Sequence, residues 1–136
     1  MTDVVLDASV VIKWFKTTGE RHVDEAADLR ARYLAGSATV VTVPLLRLEV
    51  LNVFGRRRRW PAERLRDMAI RLELLGFEFA EPPLASVAEW TAAGLSAYDA
   101  SYVALAETRG VPLVTDDDLV VRVAHGLARP LAAPRL

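Results

Sequence analysis

The sequence predicts an α/β fold in which helices sandwich a mostly parallel sheet. Three observations carry that expectation. Short β-branched runs, Val4-Val5-Leu6 and Thr39-Val40-Val41-Thr42 among them, alternate with longer stretches of helical period. The first of these runs is apolar without alternation, as a strand buried on both faces is. At 136 residues and 52% hydrophobic, the chain amounts to one domain with enough apolar mass for one core.

Each element has its own local reason. Residues 4–6 read as a buried strand that ends at Asp7. Residues 8–15 read as a helical turn or two, with Val10, Val11 and Trp14 on one face, broken by Thr17-Thr18-Gly19. Residues 20–35 read as a helix with Val23, Ala26, Ala27, Arg30 and Leu34 at helical period, stopped by Gly36-Ser37. The β-rich residues 39–42 form a second strand. Pro44 suits a helix first turn, and Leu45, Leu48, Glu49, Asn52 and Val53 line that helix to about Arg58. Pro61 opens the next helix, striped by Leu65, Met68, Leu72 and Leu75 and ended by Gly76. A short strand over 77–80, a Pro82-Pro83 turn and a helix over 84–93 follow. Ser96 N-caps a long helix that Gly110 stops. Residues 111–115 form a strand, 117–125 a helix, and 129–132 a last edge strand.

Composition removes several classes of function. The 17 basic and 18 acidic residues give a net charge of −1, so no global field draws the chain to a polyanion. With no cysteine, disulfide scaffolds, zinc ribbons, iron–sulfur sites and thiol nucleophiles are excluded, which fits a reducing, cytoplasmic setting. The first residues carry two aspartates and no basic region, unlike a signal peptide. No apolar stretch approaches the ~18 residues of a membrane span.

The chemistry concentrates in the acids. Ligands of open parallel sheets bind beyond the carboxyl ends of the strands. Asp7 ends the first strand there, and Asp116, Asp117 and Asp118 follow the strand through Val114, with Ser9 and Thr115 bringing hydroxyls to the same edge. Glu49 interrupts the apolar run LLRLEVLNVF, and Asp99 sits in the first turn of SAYDASYVALA. A buried carboxylate needs a partner or a metal. If these acids converge, Mg2+ or Mn2+ is the natural relief, being hard and oxygen-seeking, whereas zinc prefers nitrogen and sulfur. Structural roles compete with this reading. Ser96 and Asp99 have capping-box spacing, Asp116–Asp118 suit a helix start, Asp7 suits a turn, and Glu49 has Arg47 or Arg56 as candidate partners. His22 and His125 stand isolated and suit surface or helix-end roles; Trp14, Phe15 and Trp90 suit packing. A phosphoaspartyl phosphatase is disfavoured, because Asp7-Ala8-Ser9 lacks the second aspartate two residues on. A receiver domain is disfavoured because lysine occurs only at 13 and 16.

LDASVVIKWF, PLLRLEVLNVF, LSAYDASYVALA and PLVTDDDL, in this order and spacing, resemble the PIN domain, and more narrowly the VapC-type toxin ribonucleases of type II toxin–antitoxin systems. The resemblance covers essentially the whole chain. It implies a three-layer α/β/α sandwich around a mostly parallel twisted sheet of about four to five short strands. It implies Mg2+- or Mn2+-dependent hydrolysis of RNA. By position, Asp7, Glu49, Asp99 and Asp117 match the family's acids, with Asp116 as the alternative fourth acid in the aspartate run. Ser9, Asn52 and Thr115 match the accompanying polar residues that orient the metal ligands. The partners implied are an RNA substrate, a cognate antitoxin protein and a second copy of the chain in a homodimer. The competing expectation is a PIN-like module that binds RNA or protein without turnover. Arg56, Arg57, Arg58 and Arg59, followed by Trp60, suggest a backbone contact with a stacking ring beside it. The alternative is a solvated helix end with Trp60 packed as a lid.

Overall fold

A computed structural model describes residues 2–136. Five strands form its sheet: β1 (Thr2–Leu6), β2 (Ala38–Thr42), β3 (Glu78–Phe79), β4 (Leu113–Thr115) and β5 (Ala128–Pro130). Their order is β3-β2-β1-β4-β5, and every neighbouring pair is parallel. Parallel neighbours need crossovers, and helices supply them. These are α1 (Ala8–Val11), extended by a 3-10 turn over Ile12–Trp14, α2 (Val23–Leu34) and α3 (Leu45–Asn52), extended by a π turn over Val53–Arg57. The remainder are α4 (Ala62–Leu74), α5 (Leu84–Ala92), α6 (Ala97–Arg109) and α7 (Asp118–Val123). Among the described residues no helix is long and apolar enough to cross a membrane.

The chain builds outward from β1 to β3, then returns to lay β4 on the other side of β1. The space between the ends of β1 and β4 is therefore the topological switch point, where crevices open in such sheets. Leu6 pairs with Val114, so the register sets Asp7 beside Thr115 at the mouth of that crevice. Beneath it, Val4, Val5, Leu6, Leu113 and Val114 are fully buried, as strands covered on both faces must be. Helix α6 lies against β1, β4 and α5. It buries five consecutive residues, Tyr102 to Ala106, more than an amphipathic stripe would. Trp14 packs edge-on against Phe77, 5.8 Å between centroids, and donates its indole N–H to the Ala26 carbonyl at 2.9 Å.

Three expectations need correction. Helix α2 begins at Val23 rather than residue 20, because Glu20 is drawn to Lys13 and Arg58 while His22 enters the helix in a left-handed conformation. Its buried face runs through Ala26 and Leu29 toward Tyr33, not through Ala27, Arg30 and Leu34; Leu34 is 61% exposed. The helix expected to reach Arg58 is α-helical only to Asn52 and then widens into the π turn. Gly55 lies in that turn, where an added Cβ would stand 3.2 Å from Leu65 of α4; glycine lets the two segments close.

Candidate active site

Asp7 is held before it can do anything else. It N-caps α1 and accepts the Ser9 backbone N–H at 3.1 Å. It also accepts the hydroxyls of Ser9 and Thr115, each at 2.5 Å. Each hydroxyl has one proton and commits it to Asp7. Each then receives from behind: Ser9 Oγ takes the Asp116 N–H at 2.9 Å, and Thr115 Oγ1 takes the Asp117 N–H at 3.1 Å. The residues expected to orient the acids thus join the ends of β1 and β4. Asp7 is 5% exposed. Burial pushes its pKa up to about 6, opposed by the two hydroxyls and reinforced by Asp99 and Asp117.

The other acids arrive from three helices. Glu49 on α3 accepts the phenol O–H of Tyr102 on α6 rather than pairing with Arg47 or Arg56. Burial raises the Glu49 pKa, and Asp99 adds to it against the pull of the phenol. Burial, then Glu49, holds Tyr102 far above the ordinary tyrosine range, so it donates as a neutral phenol. Asp99 gives its backbone N–H to Ser96 Oγ at 3.0 Å, half of the expected capping box. Its carboxyl is raised by burial and then by Asp117. Asp117 N-caps α7, accepting the N–H groups of Leu119 at 2.9 Å and Val120 at 3.3 Å. Its cap role and its place at the cavity coexist.

Asp7, Glu49, Asp99 and Asp117 line one cavity of ≈ 270 Å³, with Asn52 and Arg57 at its wall. The donor set is all hard oxygen. Burial first, and then the neighbouring Asp99 and Asp117 carboxylates, raise the pKa values around them, which is the electrostatic condition a divalent cation relieves. Among the described residues no three of them already stand in a closed metal-holding geometry. Unneutralised carboxylates repel, and Asp7, Glu49 and Asp117 are each tied to their own donors.

Asp116, the alternative fourth acid, is not at this cavity. Its carboxylate faces a second pocket and is bound by Lys13 Nζ at 3.0 Å, Arg21 Nε at 3.1 Å and His22 Nδ1 at 2.8 Å. Burial alone would raise its pKa, but His22, Lys13 and Arg21 outweigh it and the net shift is downward. The demand of Lys13, itself 5% exposed, turns Asp116 away from Asp117. His22, expected to be isolated, is likewise engaged. Lys13 and Tyr102 are the residues that sequence reasoning missed. Lys13 in VVIKWF is the cationic counterpart of Glu49 in its own apolar run, and Tyr102 follows Asp99 at the i, i+3 spacing that shares a helix face.

The arginine run divides. Arg56, Arg57 and Arg59 are exposed, whereas Arg58 pairs with Glu20 at 3.0 Å and lies over the Phe54 ring. Trp60 is a lid. Its ring stands 4.4 Å from Phe54 and carries the Arg64 guanidinium at 3.6 Å, so it is not the open stacking platform suggested above.

A parallel sheet whose switch point is walled by carboxylates defines a class: α/β domains that gather hard-oxygen donors at the strand ends. Within that class, the chain belongs to the PIN-domain family, whose model matches residues 4–126. PIN domains are generally metal-dependent nucleases and typically use divalent ions. Among solved structures, the chain is similar to the crystal structure of PAE2754 from Pyrobaculum aerophilum. The two are 23% identical, with 97% of this chain and 92% of that chain covered, at a TM-score of 0.65. That likeness shows a shared fold. No curated protein matches the sequence.

Proposed function

We propose that this chain is a metal-dependent endoribonuclease that hydrolyses RNA phosphodiester bonds and serves as the toxin of a VapC-type toxin–antitoxin module. One observation carries the reading: four carboxylates from four different segments line one cavity at the switch point of the sheet. Asp7, Glu49, Asp99 and Asp117 would hold Mg2+ or Mn2+ directly or through water. The bound ion would supply an acidified water and stabilise the leaving oxygen. The protein's own work is positional. Ser9 and Thr115 hold Asp7, Tyr102 holds Glu49, and the α7 N-terminus holds Asp117. Asn52 stands at the same wall to orient a water or a substrate oxygen.

The same acid pocket supports a partner. A basic side chain from an antitoxin protein would neutralise the carboxylates in place of the cation. A homodimer is the assembly proposed with it. The decisive experiment is cleavage of total RNA by the purified protein with Mg2+, with Mn2+ and with EDTA, alongside Asp7→Asn. Discrete products that need metal and vanish in the variant are expected. Metal binding by calorimetry without any cleavage would point instead to a non-catalytic PIN-like binder. For the toxin role, induction should arrest growth, and co-expression of a protein encoded beside it should relieve the arrest.

A further inference from the structure

A mainly apolar groove, with Glu49 at its edge, adjoins the acid cavity. Leu45 and Leu48 of α3 and Tyr98 at the start of α6 line a space of ≈ 380 Å³, within the range of small-ligand sites. Glu49 and Asn52 complete it, and both also wall the acid cavity, so the two spaces adjoin. Leu48 is 65% and Tyr98 62% exposed. Two large apolar side chains held open beside a charged centre are costly to leave bare, and such patches mark binding surfaces. Among the described residues the Asn52 amide and the Tyr98 hydroxyl have no protein hydrogen-bond partner, so both remain available to a ligand.

The charge pattern selects the occupant. A polyanion approaching four carboxylates gains little from electrostatics there, even when one cation is bound. Affinity beside the site must come from a part of the substrate that carries no charge. In RNA that part is the base, whose face stacks on aromatic rings and whose edge pairs with an amide. We propose that the groove is a nucleobase subsite: one unpaired base next to the scissile phosphate stacks on Tyr98 over Leu48, with the Asn52 amide on its edge. The inference rests on the nuclease reading above and narrows its substrate to single-stranded RNA. A base occupying the groove must be unstacked from its neighbours, which in a duplex also costs its pairing. Arg57 stands at the other wall of the acid cavity, where the backbone would leave.

The test uses Asp7→Asn protein in Mg2+, so that substrate binds without turnover. Anisotropy of a fluorescein-labelled single-stranded RNA is measured with and without Tyr98→Ala or Tyr98→Phe. The Ala variant should bind about ten-fold more weakly, the loss of one base–aromatic stack, and the Phe variant should bind as the parent does. In the cleaving protein, Tyr98→Ala should raise KM with kcat retained and erase base preference at one position beside the cut. The same RNA folded into a hairpin stem should show no dependence on Tyr98. Equal affinity of the Ala and parent proteins, or no binding of single-stranded RNA at all, would overturn the subsite. So would a Tyr98→Ala variant that binds RNA normally but changes from dimer to monomer on sedimentation, since the groove would then be a face between copies of the chain. Tyr98-dependent binding without metal-dependent cleavage by the unsubstituted protein would defeat the nuclease reading and leave the base subsite standing.

Discussion

Two charge clusters sit side by side at the carboxyl edge of the sheet, and consecutive aspartates divide between them. Asp116 joins Lys13, Glu20, Arg21, His22 and Arg58, where acids and bases alternate and each finds a partner. Asp117 joins Asp7, Glu49 and Asp99, where the walls are acid and the nearest base, Arg57, lies at the margin. The pKa directions record the difference. Asp116 is lowered, while Asp7, Glu49 and Asp99 are raised. A compensated cluster stabilises the fold, whereas an uncompensated one must be offset by packing elsewhere and persists where a ligand is to complete it. Lys13 ties the 3-10 turn to the turn after β4, and so braces the strand ends from which the acid cavity is built.

The strongest way to break this contrast is to remove the central base. Lys13→Met leaves Asp116 and Glu20 without their shared buried cation. The expected loss of unfolding free energy is about 4 kcal/mol, because truncating one side of a buried pair strands the other. Urea denaturation measures it. A loss below about 1 kcal/mol would mean that Arg21, His22 and Arg58 compensate without Lys13, and that the cluster is a surface network rather than a brace.

The acid cavity should respond with the opposite sign. Asp7 titrates at about 6 in the folded chain and at about 4 when unfolded. Between those values the folded state keeps a proton that the unfolded state has released, so stability falls as pH rises. The loss is complete above pH ~6 and amounts to about 3 kcal/mol in the metal-free protein. Asp7→Asn cannot titrate, so its stability should lack that portion of the pH dependence between about pH 4 and 7. At pH 8 in EDTA it should be no less stable than the parent, and added Mg2+ should raise the melting temperature of the parent more than that of the variant. A variant much less stable at pH 8 would show that the hydrogen bonds from Ser9 and Thr115 to the carboxylate outweigh the repulsion.

The same contrast explains what the sequence made legible. Apolar runs ending in acids were sufficient to place Asp7 and Asp117 at one sheet edge, because strand direction and crossover topology leave few alternatives. Glu49 and Asp99 stood out because a carboxylate in an apolar helix demands an explanation. The allocation of Asp116 and Asp117 came from the family resemblance alone, not from the chemistry of the residues. Three identical residues in a row have identical chemistry, and only the backbone after β4 and the partner on the far side decide which way each one turns. The start of α2 failed for the same reason, since Glu20 looks like a first-turn acid until Lys13 and Arg58 claim it. The π turn failed because it depends on how closely Gly55 approaches Leu65, a tertiary contact with no local signal.

The smallest effect on stability separates two neighbouring arginines. Arg57 is exposed and lines both pockets, while Arg58 is spent on Glu20 and Phe54. If the first is a phosphate contact and the second a structural one, alanine at each should act on different observables. Arg57→Ala should change unfolding free energy by no more than about 0.5 kcal/mol. It should also reduce the slope of log affinity for RNA against log salt by about one, since each phosphate contact releases roughly one counterion. Arg58→Ala should lower the melting temperature by removing one of the two cations on Glu20 and its contact with the Phe54 ring, and leave the salt slope unchanged. A slope unaffected by Arg57→Ala would assign that residue to the solvated end of the π turn. A slope reduced by Arg58→Ala would show that its ion pair opens to take substrate, and the compensated cluster would then form part of the RNA path rather than only bracing it.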